Sequence, residues 1–114
     1  MKIIPENCKV HDALSILIGK WKPTILLYLM WEGTMRYGEL KKALVGITPK
    51  MLTNQLRELE EEGIISRKVY REVPPKVEYS ITEYGMTLKP TLDSMHEWSM
   101  EHKNRKSEIE NTTD

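Results

Sequence analysis

The chain has 114 residues, of which 39% are hydrophobic and 30% are charged. This length fits one domain with a modest core, and this composition excludes an intrinsically disordered chain. The 17 basic and 17 acidic side chains give a formal net charge of zero, which counts against a nucleic-acid-binding protein but does not exclude one, because a ligand responds to the local field.

No apolar run approaches the roughly 20 residues of a membrane-spanning helix, and the N-terminus lacks the apolar core of a signal peptide. A single cysteine excludes an internal disulfide. We therefore expect a cytoplasmic protein without membrane contacts.

Apolar residues at helical spacing predict a first helix from about Val10 to Lys20, which Gly19 ends. Its inward positions are Val10, Leu14, Leu17 and Ile18. Trp21-Lys22-Pro23 starts a second helix that runs to Gly33, and its broad apolar face predicts a central place in the core. Residues 34–36 are extended at most.

A helix-turn-helix pattern follows. A short helix from Tyr37 to Leu44 and a tight turn at Gly46 precede a helix from about Pro49 to Glu62, with Thr48 as its N-cap. The helix from Pro49 has two faces on a helical wheel. Leu52, Leu56 and Leu59 share the inward face, whereas Lys50, Asn54 and Arg57 lie opposite, with Thr53 at the flank.

The outward face begins with side chains that read or clamp DNA. Lys and Arg pair with guanine or phosphate, Asn pairs with adenine, and Thr contacts bases or the thymine methyl group. The acidic second half would lie away from the phosphates. The alternative is a solvated amphipathic helix with a basic start.

Alternation from Ile65 to Ile81 predicts a β-hairpin with Val73-Pro74-Pro75-Lys76 at its tip. Cations on the hairpin and on the short helix before the turn are expected to contact the DNA backbone. They are Lys41, Lys42, Arg67, Lys68, Arg71 and Lys76. The alternative for the hairpin is a charged edge that prevents aggregation.

A last helix starts at Thr82-Glu83, and Pro90 either kinks it or marks the first turn of a second segment. Its apolar stripe is Leu88, Leu92, Met95 and Trp98. Beyond Asn104 the chain is polar, which predicts a disordered tail over about residues 105–114.

No nucleophile–base pair, phosphate-binding glycine loop or pair of acids stands out, so we expect neither an enzyme nor a cofactor. The three histidines lack metal-ligand spacing, so no metal site is expected. Trp21, Tyr28, Trp31 and Trp98 could line a small-molecule pocket, although aromatic residues at helical spacing more often belong to the core.

The segment TPKMLTNQLRELEEEGIISRKVYREVPPKVEYSITEYG resembles the signature region of the HxlR-type winged-helix transcriptional regulators, relatives of the MarR group. IGKWKPTILLYL matches the Gly-Lys-Trp segment of that family, and Cys8 stands where many members carry a cysteine. The resemblance covers about residues 8–98, taken as the core of a single domain that spans residues 1–114.

The resemblance implies an α+β, mainly α, winged helix-turn-helix fold. Its recognition helix maps onto Thr48 to Glu62 and its wing onto Arg67 to Lys76, and Thr48 is expected among the residues that contact DNA. It also implies a homodimer, joined by the terminal helices, on a palindromic operator in double-stranded DNA. The expected interface residues are Leu14, Leu17, Leu88, Leu92, Met95 and Trp98; for Leu88 to Trp98 the alternative is the protomer's own core.

Several members of the family respond to oxidants, electrophiles or aldehydes. Cys8 precedes a helix N-terminus, with Lys9 and His11 nearby, and such surroundings favour the reactive thiolate. Cys8 is thus a candidate sensor that would form a sulfenic acid and then a mixed or intersubunit disulfide. The alternative is an inert, partly buried thiol.

The sequence favours a dimeric, sequence-specific DNA-binding transcriptional regulator with an oxidant or small-molecule inducer. The rival function is a winged-helix module for protein–protein contacts, which would suit the zero net charge. The operator, the regulated genes, the sign of regulation and the inducer do not follow from the sequence.

Overall fold

The computed structural model describes residues 5–17 and 19–112. The chain is mostly helical with one small antiparallel sheet, and it forms the predicted winged helix-turn-helix fold. After a short 3-10 turn at Pro5–Asn7, the elements are α1 (Val10–Ile16), α2 (Trp21–Glu32), β1 (Met35–Arg36), α3 (Tyr37–Ala43), α4 (Pro49–Glu61), β2 (Ile65–Tyr70), β3 (Lys76–Ile81), α5 (Glu83–Met86) and α6 (Lys89–Thr112).

Helix α2 lies at the centre of the core, as its composition predicts. Its side chains Ile25, Leu26 and Leu29 are fully buried. They belong to one apolar cluster with Leu40 of α3 and with the inward leucines of α4. Each such side chain contributes about 1.5–3 kcal/mol of burial free energy, so this cluster holds the helix-turn-helix against the rest of the domain.

The three strands form an antiparallel sheet in the order β1-β3-β2. The β2–β3 hairpin pairs Ile65 with Ile81 at its base and Tyr70 with Lys76 near its tip. Ile65 and Tyr79 are buried, whereas Val69 is exposed, so only the base of the hairpin is anchored in the core. The predicted hairpin and the short extended segment before α3 are both confirmed.

The first helix is shorter than predicted. Helix α1 ends at Ile16, because the Leu17 amide donates to the Leu14 carbonyl at 3.1 Å and the chain then turns through Gly19 at a φ of 99°. A positive φ of this kind favours glycine. The predicted inward position Ile18 lies outside the described residues.

The last helical region is divided, as one of the two readings of Pro90 predicts. Helix α5 ends at Met86, and Pro90 lies in the first turn of α6, where its missing N–H costs nothing. The predicted disorder beyond residue 104 is wrong as far as Thr112, because α6 continues to that residue. The polar segment is rich in Glu, Lys and Arg, which are good helix formers, and spacings such as Glu101 to Arg105 support a helix.

None of the described helices is by itself long and apolar enough to cross a membrane. Only α1 and α2 taken together, across a sharp bend, have the length and the composition for it.

Candidate nucleic-acid interface

Helix α4 begins as its sequence predicts. The Met51 amide donates to the Thr48 hydroxyl at 3.1 Å, and Pro49 occupies the first helical position. Leu52, Leu56 and Leu59 are buried. The predicted reading residues on the opposite face are all exposed; they are Lys50, Thr53, Asn54 and Arg57. The outer face of α4 is thus open to a partner, while Thr48 is engaged in capping the helix.

Tyr37, the first residue of α3, ties the two helices of the motif together. Its hydroxyl donates to the Pro49 carbonyl at 3.0 Å and lies 3.2 Å from the Thr53 hydroxyl. Thr53 is therefore held in place before any partner arrives. This role of Tyr37 was not predicted from the sequence. The sequence shows a tyrosine at the start of α3, but its contact with Thr53 depends on the angle at which α3 and α4 cross.

A polar cleft of about 280 Å³ lies between α4 and the hairpin. Arg57 of α4 and Arg67 of β2 both line this cleft, together with Thr53, Glu60 and Tyr79. The structure thus brings together two cations that were predicted separately, one as a base reader and one as a backbone contact. A concave surface with two guanidinium groups suits a phosphate backbone, because arginine can bind phosphate oxygens in a bidentate manner.

The cations near the hairpin tip are gathered around Tyr70. The Lys68 and Lys76 ammonium groups each lie 4.8 Å from the centre of its ring. Lys76 also pairs with Glu78 at 2.9 Å, and the Tyr70 hydroxyl donates to the same carboxylate at 3.3 Å. The hydrogen bond from Lys76 is the main cause that holds the pKa of Glu78 below its ordinary value. Lys76 is therefore partly neutralised, whereas Arg71, just beyond β2, is exposed.

A second and wider groove, of about 520 Å³, separates the start of α3 from the hairpin tip. Arg36, Tyr37 and Lys76 are among its lining residues. Arg36 was not predicted from the sequence, since a lone arginine before a helix carries no distinctive signal. On α3 itself, Lys42 is exposed and Lys41 is half-buried, so both predicted backbone contacts remain near the surface.

The six predicted interface residues divide into two groups. Leu17 and Leu92 are buried in the protomer's own core, which corrects their assignment to an interface, and Leu88 packs partly against the same core. Leu14, Met95 and Trp98 are 50%, 46% and 65% exposed. The Trp98 ring stacks on His102 with their centroids 5.0 Å apart. Only the second group is free to meet another chain.

Cys8 is a free, half-buried cysteine between the 3-10 turn and α1. The neighbouring Lys9 ammonium lies 4.0 Å from the Asp12 carboxylate. Lys9, the cation next to Cys8 in the sequence, is therefore close to a carboxylate, which partly offsets its positive charge.

The four aromatic residues considered for a small-molecule pocket do not share one. Tyr28 and Trp31 border a shallow apolar hollow on α2, Trp21 packs against the core, and Trp98 lies on α6. In the part of the chain that the structure describes, no group of three or more His, Cys, Asp or Glu side chains is arranged to hold a metal ion.

Comparison with known proteins agrees with this geometry. The model of the HxlR-like helix-turn-helix family matches residues 16–107. The uncharacterized HTH-type transcriptional regulator YdeP of Bacillus subtilis is 50% identical over 105 residues, which cover 92% of this chain and 81% of YdeP.

Solved structures give the same result. The redox regulator HypR in its reduced form is 42% identical, with a TM-score of 0.81 over 89% of this chain and 99% of HypR. The reduced transcriptional regulator YodB of B. subtilis is 35% identical, with a TM-score of 0.73 over 86% of this chain and 92% of YodB. A MarR-family regulator from Enterococcus faecalis V583 has a TM-score of 0.81 at 38% identity, over 95% of this chain and 96% of that regulator. The chain therefore belongs to the HxlR-like helix-turn-helix family and is a transcriptional regulator of the MarR-like winged-helix type.

Proposed function

We propose that this chain is a homodimeric, sequence-specific DNA-binding regulator in which α4 reads the major groove. The observation that carries the proposal is the shared cleft of Arg57 and Arg67, next to the exposed Lys50 and Asn54. It combines on one surface the side chains that pair with bases and those that bind phosphates.

The charge gradient along α4 fits entry by its N-terminal half. Lys50, Thr53, Asn54 and Arg57 precede the run of exposed glutamates at positions 60–62. A recognition helix contacts bases with its N-terminal residues, where its unpaired amides also attract phosphate. Glu61 and Glu62 would be repelled by the backbone, so the gradient favours docking by the N-terminal half. Glu60 lines the cleft of Arg57 and Arg67 and reduces the attraction of that cleft for phosphate.

The dimer is proposed from the state of α6. This helix has 24 residues, and its side chains from Asp93 to Asn111 are exposed, among them Met95, Trp98 and Met100. Large exposed apolar side chains close together on one helix favour burial against another chain. A dimer would present two α4 helices, one for each half-site of the operator. The centres of the two half-sites would be one DNA turn, about 34 Å, apart.

The proposed signal is oxidation of Cys8. HypR is a redox regulator, and YodB has been crystallised after diamide treatment, so relatives of this chain respond to oxidants or have been challenged with them. Diamide should change the operator affinity of the wild-type protein and leave Cys8→Ser unaffected. If diamide leaves the wild-type gel shift unchanged, or changes the gel shift of Cys8→Ser equally, Cys8 is not the sensor.

DNA binding is tested against its rival, a protein–protein module, with a fragment of the protein's own promoter region. A DNA-binding regulator should retain this fragment at low salt and lose it steeply as salt rises, since each phosphate contact releases counterions. A scrambled fragment of equal length and composition is the control. No retention at low salt would favour the rival.

A further inference from the structure

The core contains one charged side chain where leucines would be expected. Lys22 is 7% exposed, and among the described residues it is the one charged or polar residue in the buried class. Its ammonium lies 2.5 Å from a carboxylate oxygen of Glu58, whose side chain is 52% exposed. The pair joins α2, at the centre of the core, to the acidic half of α4.

Trp21, the residue before Lys22, lies near the turn between α3 and α4. The Trp21 ring lies 4.0 Å from the place that a Cβ at Gly46 would occupy, in the turn between α3 and α4. Gly46 has a φ of 96°, so the turn itself depends on glycine. Of the first two residues of α2, Trp21 therefore lies beside the turn before α4, and Lys22 contacts a carboxylate near the end of α4.

Stability alone is a weak reason for this pair. Removing an ammonium from water costs several kcal/mol, and the Glu58 side chain is half exposed, so replacing Lys22 by an apolar residue leaves no buried unpaired charge. The leucines of α4 already supply the burial that attaches it to α2. Apolar burial is non-directional, however, whereas an ion pair at 2.5 Å ties one particular atom of α2 to one particular atom of α4.

We infer that Lys22 is a positioning residue that fixes the rotation of α4 through Glu58 and so sets how the helix meets DNA. This inference rests on the proposed function, because it assumes that the outer face of α4 reads an operator. Glu58 lies one residue after Arg57, so a small rotation at this carboxylate also displaces the arginine in the cleft. Glu58, in the acidic half of α4, thus orients this helix by its contact with Lys22 of α2.

The test replaces Lys22 by Met, which keeps the length of the side chain and removes the charge. Lys22→Met should remain folded, with an unfolding temperature equal to or above that of the wild type. Its operator affinity, relative to its affinity for scrambled DNA, should fall roughly tenfold. Lys22→Arg, which keeps the charge, should retain most of the wild-type ratio of operator affinity to affinity for scrambled DNA. Lys89→Met is the matched control, because it breaks an exposed pair, Lys89–Asp93 at 2.7 Å, and should change the ratio less than twofold.

The specificity ratio separates positioning from a structural role, which would change stability alone. If Lys22→Met fails to fold, Glu58→Gln takes its place, because it removes the negative charge from the pair and keeps the shape of the side chain; the expected loss is then about threefold. A folded variant with the wild-type ratio overturns the inference and leaves the proposed function intact. A wild-type protein that does not distinguish operator from scrambled DNA overturns both.

Discussion

Helices α4 and α6 both expose long surfaces, but the chemistry of those surfaces differs. The outer face of α4 carries Lys50, Asn54 and Arg57, whereas α6 exposes Met95 and Trp98. Solvated cations are stable in water and gain most from a polyanion, while exposed apolar side chains gain from burial. This difference supports the two partners that we propose for one small domain, DNA at α4 and a second copy at α6.

The largest expected effect comes from breaking the α6 surface. Met95→Glu with Trp98→Glu should convert a dimer into monomers, because two charges would have to be buried at the apolar face. Operator affinity should fall by about 100-fold or more, since linked half-sites gain from effective concentration. Sedimentation and operator titration measure the two quantities. A double variant that remains dimeric would move the interface elsewhere.

A smaller effect is expected at the outer face of α4. Arg57→Ala should cost about 1–3 kcal/mol of operator binding and relax specificity at one base position. Glu61→Gln, on the same helix, serves as the control and should not weaken binding. Titration against operators with single base changes measures both values. Equal losses on operator and scrambled DNA would reassign Arg57 from base reading to the backbone.

The hairpin should contribute without reading sequence. Arg67→Ala should weaken binding to all DNA sequences alike and reduce the slope of log K against log salt by about 0.9, the value for one phosphate contact. Lys103→Ala, an exposed cation on α6, should leave the slope unchanged. A sequence-dependent loss at Arg67 would instead extend the reading surface from α4 to the wing.

The smallest effect concerns the carboxylate that partly neutralises the wing. Glu78→Gln should raise DNA affinity about twofold, because Lys76 is then released for phosphate contacts. The pKa of Glu78 is lowered on folding, mainly by the hydrogen bond from Lys76. The Lys76–Glu78 pair therefore stabilises the folded protein fully at a pH above 4.5, the ordinary pKa of the glutamate. That stabilisation is lost as pH falls through the lower folded value, and Glu78→Gln should lack this step in acid unfolding curves. An unchanged affinity would mean that Lys76 does not face DNA.

The sequence was sufficient for most of the fold and for part of the site. The Thr48-Pro49 start, the leucine spacing of α4 and the Pro74-Pro75 tip are local signals, and each lies where it was predicted. Burial of Leu17 and Leu92 could not be separated from dimerisation, because periodicity finds an apolar face but not what covers it.

Contacts between distant parts of the chain were missed for a related reason. Tyr37 meets Thr53, and Lys22 meets Glu58, only because the helices cross at particular angles. Lys22 shares helical spacing with the buried Ile25, Leu26 and Leu29, but that spacing does not indicate that Glu58 lies opposite it. Composition shows that these polar groups are present, but their partners depend on tertiary packing.

The central claim, that the basic half of α4 reads an operator, is tested most directly by one titration. The wild type and a Thr53→Ala, Asn54→Ala, Arg57→Ala variant are compared on the promoter fragment and on its scrambled control over a range of salt. We expect the variant to bind both fragments alike, while the wild type prefers the promoter fragment by at least about 1,000-fold. A variant that keeps the wild-type preference would contradict it.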